Sequence, residues 1–123
     1  MKKKIIISTL FLGLLNFSQV SQAQEMITVP STQELLNVCK YPMGTEAHSY
    51  CTGYITAIYD TYLVTRHPKL AKPFICMKHP SPTRDQVISE FVSWAEKNAQ
   101  FATAPAADST LRFLAGLFPC ETQ

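Results

Sequence analysis

The chain has 123 residues, and its 11 basic and 9 acidic side chains give it a formal charge of only +2. Three of the basic residues are Lys2, Lys3 and Lys4, and no basic tract follows them. The composition therefore predicts neither a nucleic-acid-binding surface nor a polybasic membrane patch in the folded part of the protein.

The first 23 residues have the three-part order of a secretory signal. The three lysines precede an apolar run over residues 5–17, and Ser21-Gln22-Ala23 offers small residues for a cleavage site. The run of about 13 residues is too short for a hydrocarbon core that requires roughly 20. We predict export to the periplasm, cleavage after Ala23 and a single mature domain, residues 24–123, of formal charge −1 with no membrane contact.

Two helices are predicted in the first half of the mature domain. Ser31-Thr32-Gln33-Glu34 has the form of a capping box and starts a helix over residues 32–40, which Tyr41-Pro42-Met43-Gly44 ends. A second helix is predicted over residues 47–66, where one apolar face is formed by Cys51, Ile55, Ile58 and Tyr62 and widened by Tyr54, Tyr59 and Leu63. A strand is disfavoured because strict period-two alternation is absent.

The second half is predicted to contain a loop and two more helices. Four of the eight prolines lie in residues 67–82, here called the proline-rich loop. Thr83 and Gln86 form a second capping box, and the helix that follows runs to about Asn98 with Val87, Phe91, Trp94 and Ala95 facing the core. The last helix follows Pro105, buries Leu111, Leu114 and Phe118, and stops at Pro119. The predicted fold is all-α, a small bundle of four to five helices stapled by two disulfides.

All four cysteines lie in the mature region, and an even number in an exported chain predicts disulfides. Four cysteines permit three pairings. Cys39 ends the first helix and Cys51 opens the second, so a helical hairpin brings them together. If the last two helices are antiparallel, Cys120 returns toward Cys76, and the preferred pairs are Cys39–Cys51 and Cys76–Cys120.

No catalytic residue, metal or cofactor is predicted. His48 is near Cys51 and His79 is near Cys76 in the sequence, but a nucleophilic thiol must be free, whereas exported cysteines are normally oxidised. A zinc site is disfavoured because the cysteines lack paired C-x2-C spacing. The second helix carries four tyrosines on two of its sides: Tyr50, Tyr54, Tyr59 and Tyr62. We expect some to pack in the core; the others either meet a partner or a second copy of the chain, or are scattered amphipathic surface residues.

Four sequence fragments occur in an order that resembles the Rap/Tai family of type VI secretion immunity proteins. They are Leu35-Leu36-Asn37-Val38-Cys39, Cys51-Thr52-Gly53-Tyr54-Ile55 with Asp60, Thr83 with Gln86, and Leu117-Phe118-Pro119-Cys120. The resemblance implies a disulfide-bonded helical periplasmic protein, commonly dimeric, that is not an enzyme. Such a protein binds a cell-wall amidase toxin from neighbouring bacteria and blocks its active site.

The resemblance also implies a binding segment, because a loop of the dimer plugs the toxin cleft in relatives. By position the corresponding segment is residues 96–102, and the partner-binding candidates are Glu96, Lys97, Asn98, Gln100 and Phe101. Phe101 either anchors in a pocket of the partner or caps the core. Two other functions stay open, a periplasmic acid-stress chaperone and a carrier of a small apolar ligand.

Overall fold

A computed structural model describes residues 28–121. Its α-helices are α1 (Thr32–Cys39), α2 (Glu46–Thr65), α3 (Arg84–Lys97) and α4 (Ala106–Leu117), with a 3-10 turn at Ala99–Phe101. Residues 28–121 contain no strand, and an isolated bridge pairs Ser31 with Pro105. The all-α prediction is confirmed. The predicted signal peptide and its cleavage site lie outside the described residues.

Short side chains start three of the helices by accepting hydrogen bonds from free backbone N–H groups. Ser31 Oγ accepts from the Glu34 N–H, while the Glu34 carboxylate accepts from the Ser31 N–H at 2.7 Å. Thr83 and Gln86 make the same reciprocal pair at α3. Both predicted capping boxes are confirmed. Thr45, which the sequence analysis did not single out, caps α2.

Both predicted disulfides are confirmed. The bond between Cys39 and Cys51 closes the short hairpin of α1 and α2, with 5.1 Å between the two Cα atoms. The bond between Cys76 and Cys120 joins the proline-rich loop to the end of α4, with Cα atoms 4.9 Å apart. The Cys76 N–H also donates to the Phe118 carbonyl at 2.8 Å. A disulfide and a backbone hydrogen bond, both at Cys76, thus join the proline-rich loop to the chain just after α4.

The core lies between the four helices, and Leu35, Ile55, Phe91 and Leu114 contribute to it from one helix each. Several residues predicted to face the core are only partly buried and pack at its edge; these are Val87, Trp94 and Leu111. Ile58 is half-buried, and Leu63, predicted to widen the apolar face of α2, is 46% exposed.

Tyr62 fastens the proline-rich loop to the last turns of α2. Its hydroxyl accepts hydrogen bonds from the backbone N–H groups of Phe74 (3.0 Å) and Ile75 (3.3 Å), and its ring meets the edge of the Phe74 ring. Arg66 donates from Nη1 to the Ala71 carbonyl at 3.2 Å. These contacts order a loop that has no regular secondary structure, because its backbone donors find fixed partners.

In the described part of the chain, no helix combines the length and the apolar character needed to cross a membrane.

Candidate partner-binding site

Residues 96–105, here called the α3–α4 segment, contain all five predicted partner-binding residues. The first turn of α1 fixes the end of this segment through backbone hydrogen bonds: the Thr32 N–H donates to the Ala104 carbonyl at 2.9 Å, and the Gln33 N–H donates to the Ala102 carbonyl at 3.0 Å. Both donors would otherwise lack a partner at the helix start. The N-terminus of α1 therefore holds the α3–α4 segment in one conformation.

A side-chain contact reinforces the same junction. The hydroxyls of Thr32 and Ser109 are 2.7 Å apart, and Thr32 Oγ1 also lies 3.0 Å from the Ala104 carbonyl. Thr32 and Ser109 are almost completely buried. Because buried polar groups are expensive to leave unpaired, this contact couples α1, α4 and the segment between them.

The middle of the segment rests on an aromatic stack. The ring of Phe101 is nearly parallel to that of Trp94, with ring centroids 5.8 Å apart. The guanidinium of Arg112, a residue of α4, lies 5.4 Å from the centroid of the Phe101 ring. Arg112 is in turn paired with Asp108 at 2.8 Å. Trp94 also contacts Phe113. Phe101 is half-buried and stacks on Trp94, which packs at the edge of the core.

The other four candidates have two kinds of environment. Glu96 forms an ion pair with Lys40 beyond the end of α1 at 2.6 Å, and Asn98 donates from its side chain to the Trp94 carbonyl at 2.8 Å. Lys97 and Gln100 are exposed, and Gln100 reaches back to the Asn98 side chain at 3.1 Å. Glu96 and Asn98 are thus engaged within the fold, and Lys97 and Gln100 have atoms directed at solvent.

The contacts of this site that sequence reasoning missed are those between distant parts of the chain. The Thr32–Ser109 contact spans 77 positions and the Thr32–Ala104 contact spans 72. The sequence around Thr32 indicates only a helix start. A buried threonine at the first position of α1 carries no local signal of its long-range partner.

The tyrosines of α2 divide between core and surface. Tyr62 is buried, whereas Tyr50 is 52% exposed. Tyr54 is intermediate: burial raises the pKa of its hydroxyl, the neighbouring Tyr50 adds to that rise, and a hydrogen bond with the backbone of Ala107 opposes it. The predicted division is confirmed, and the interface role of the outer tyrosines stays a prediction.

His48 has a structural environment. Its Nδ1 lies 3.1 Å from the Tyr41 carbonyl, and its Nε2 lies 3.2 Å from the Asp85 carboxylate, so it joins the start of α2 to the start of α3. Both neighbours are hydrogen-bond acceptors, a backbone carbonyl and a carboxylate. All four cysteines are in disulfides, so no thiol nucleophile is available to His48 or His79. Residues 28–121 contain no group of three or more His, Cys, Asp or Glu side chains suited to a metal ion.

One apolar groove lies between α2, α3 and the proline-rich loop, and Ile55, Tyr59, Met77 and Leu114 are among its lining residues. Its volume is about 150 Å³. Pockets for drug-sized ligands are larger, about 300 to 1,000 Å³. This groove is therefore too small to enclose a drug-sized ligand.

The comparison with family models identifies the chain. The model described as Rap1a immunity proteins matches residues 31–120, which include the four helices, both disulfides and the whole α3–α4 segment. No curated protein and no solved structure matches the chain. The matched range is most of the chain and coincides with the described helical domain. The chain belongs to the Rap1a immunity protein family.

Proposed function

We propose that this protein is exported to the periplasm, where it binds a peptidoglycan amidase toxin delivered by type VI secretion and blocks its active site. Membership of an immunity family supports inhibition by binding rather than catalysis. The observation that carries the choice of site is the fixed backbone of the α3–α4 segment, held by α1 at one end and by the aromatic stack in its middle.

The fixed backbone suits an inhibitor that enters a cleft. A loop that is already ordered loses little conformational entropy when it binds, so more of the contact energy appears as affinity. Lys97 and Gln100 supply the exposed polar atoms, while Phe101 and Asn98 hold the backbone beneath them. In this proposal Lys97 and Gln100 contact the toxin, and the engaged residues act by positioning them.

The test begins with the gene adjacent to that of this protein. An amidase encoded there, targeted to the periplasm, is expected to lyse cells, and co-expression of this protein is expected to prevent lysis. Lys97→Glu should weaken the purified complex by about tenfold or more, since charge reversal at an interface places like or unpaired charges in contact. Lys78→Glu, at an exposed lysine on the proline-rich loop, is the matched control and should bind normally.

Two results would count against the proposal. One is a neighbouring amidase that forms no complex with this protein and kills cells equally in its presence. The other is equal loss of binding in Lys97→Glu and Lys78→Glu, which would mean that the α3–α4 segment is not the contact.

The outer face of α2 supports a homodimer as part of the proposal. Tyr50 and Val64 are 52% and 82% exposed, and their helical spacing places them on one stripe on the side away from the core. Apolar side chains on such a stripe are stabilised when a second copy covers them. Light scattering should give a dimer for the mature protein and a monomer for Val64→Asp. Leu70→Asp, at an equally exposed apolar residue of the loop, should remain dimeric.

Export is tested separately. The mass of the protein released from the periplasm should correspond to a chain that begins at Gln24. A full-length mass, or retention in the cytoplasm, would contradict the predicted signal peptide.

A further inference from the structure

Charge is segregated along the chain. Residues 61–84 contain five basic side chains and no acidic one; the five are Arg66, Lys69, Lys72, Lys78 and Arg84. The rest of the described chain carries three basic and eight acidic residues. The near-neutral total therefore conceals a formal charge of +5 on one segment and −5 on the remainder. A local excess of this size produces a strong positive potential.

None of these five cations is neutralised by an ion pair among residues 28–121. Lys40 pairs with Glu96 and Arg112 pairs with Asp108, both outside the basic segment. Asp85 follows Arg84 in the chain, but its carboxylate faces His48. Arg66 is half-buried, with its guanidinium 5.9 Å from the centroid of the Tyr62 ring, whereas the exposed ammonium groups of Lys69, Lys72 and Lys78 are available to an external anion.

The same segment exposes large apolar side chains between its lysines. Leu70 is 84% exposed and Phe74 is 47% exposed, and Lys69 and Lys72 flank Leu70. The backbone beneath them is fixed: Tyr62 holds the Phe74 N–H, and Arg66 holds the Ala71 carbonyl. Leu70 and Phe74 are therefore exposed to solvent on an ordered loop. We call residues 66–78 the basic loop; it overlaps most of the proline-rich loop (residues 67–82).

The composition of the basic loop favours a lipid surface over a protein. Protein interfaces are depleted in lysine and enriched in arginine, whereas three of the four cations of the basic loop are lysines. Surfaces that bind membranes combine exposed leucine and phenylalanine with lysine, because the apolar groups enter the interface while the ammonium groups meet lipid phosphates.

We propose that the basic loop binds the surface of an anionic lipid bilayer. Leu70 and Phe74 enter the interfacial region, and Lys69, Lys72 and Lys78 contact the anionic headgroups. Glu121 lines one surface depression with Lys72 and Lys78, so its carboxylate reduces the attraction at that point. This proposal departs from the expectation based on net charge, since a sum over the chain hides a basic segment. It does not depend on the identity of the toxin.

The experiment is co-sedimentation of the mature, oxidised protein with lipid vesicles. The protein should bind vesicles that contain phosphatidylglycerol, bind those of phosphatidylcholine alone much less, and dissociate at high salt. Lys69→Glu/Lys72→Glu should lower partitioning by about tenfold or more, because each lysine near an anionic surface contributes to binding. Leu70→Ser should also lower it. Lys97→Glu, on the α3–α4 segment, is the control and should partition normally.

Several outcomes would overturn the proposal. They are absence of binding to anionic vesicles, equal binding to both vesicle types, and normal binding by Lys69→Glu/Lys72→Glu. Loss of dimer in Leu70→Ser by light scattering would assign the surface to a second copy instead. If the native protein does not bind vesicles and Lys69→Glu/Lys72→Glu no longer neutralises the toxin, the basic loop would be assigned to an acidic face of the toxin. Neutralisation by a protein that does not bind vesicles would overturn this inference and leave the proposed function standing.

Discussion

The proline-rich loop and the α3–α4 segment both connect helices of the bundle, yet their backbones are fixed by different means. The loop is linked covalently by Cys76 to Cys120 and receives a tyrosine hydroxyl from α2. The α3–α4 segment has no covalent link and depends on the first turn of α1 and on a stack of two rings and a guanidinium. The proline-rich loop is thus stabilised mainly by the disulfide, which lowers the conformational entropy of the unfolded chain. The α3–α4 segment is stabilised by contacts that exist only in the folded state.

This difference indicates how each connection responds to perturbation. Removal of a disulfide enlarges the unfolded ensemble and weakens the whole domain. Removal of a contact between α1 and the α3–α4 segment acts on the conformation of that segment. It should therefore weaken toxin binding more than it weakens the rest of the fold.

The largest effect is expected from the disulfides. The loop closed by Cys76 and Cys120 spans 44 positions, and the hairpin closed by Cys39 and Cys51 spans 12. Loop-closure entropy gives losses of about 4 kcal/mol for Cys76→Ser/Cys120→Ser and about 3 kcal/mol for Cys39→Ser/Cys51→Ser. Urea denaturation of the two double variants measures both values. A larger loss from the hairpin pair would show that the proline-rich loop is held mainly by its non-covalent contacts.

Thr32→Val tests the junction of α1 with the α3–α4 segment. The substitution keeps the shape of the side chain but leaves the buried Ser109 hydroxyl without its partner, while the Ala104 carbonyl keeps the backbone N–H of residue 32, so the free energy of unfolding should fall by about 2 kcal/mol. Toxin affinity should fall as well, since the segment loses one of the contacts that fix it to α1. Thr103→Val, at an exposed threonine of the same segment, is the control and should change stability by less than about 0.5 kcal/mol.

Tyr62→Phe tests the non-covalent attachment of the proline-rich loop. The two backbone N–H groups of Phe74 and Ile75 lose their acceptor, and stability should fall by about 1.5 kcal/mol. Hydrogen exchange at these two amides should accelerate while toxin binding stays normal. Tyr50→Phe, at an exposed tyrosine of the same helix, should leave the stability and the two exchange rates unchanged. Loss of toxin binding in Tyr62→Phe would contradict the separation of the two connections.

Local signals in the sequence predicted much of the fold. The two capping boxes are confirmed because Ser31 with Glu34, and Thr83 with Gln86, interact over three positions and need no tertiary information. The disulfide pairing is confirmed because the order of helix ends already limits which cysteines meet. The partial exposure of Trp94 was not predicted, since its spacing matches the core face of α3 while its ring also supports Phe101.

The candidate site was less accessible to sequence reasoning. Its position came from a family resemblance, whereas its rigidity comes from contacts of Thr32 with Ala104 and Ser109 across more than 70 positions. A single sequence carries no record of such pairs. The basic loop was missed for another reason, because the acidic residues elsewhere cancel its charge in the total.

The smallest expected effect concerns the two capping boxes, which differ in one chemical respect. The α1 box uses a carboxylate, Glu34, and hydrogen bonds from the backbone and then the hydroxyl of Ser31 lower its pKa. The α3 box uses the amide of Gln86, which does not titrate. Because the folded state favours the ionised Glu34, its stabilisation is complete above the pKa of the unfolded chain and is lost as pH falls through the lowered folded value.

Acid should therefore weaken the start of α1, and with it the attachment of the α3–α4 segment, before it weakens the start of α3. Glu34→Gln should flatten the acid limb of the stability profile, measured as the urea midpoint at successive pH values, because an amide keeps the acceptor without the charge. Gln86→Glu should add an acid dependence of the same sign at α3. A native-like acid limb in Glu34→Gln would mean that other carboxylates control the acid response, and that the start of α1 is no more sensitive to acid than the start of α3.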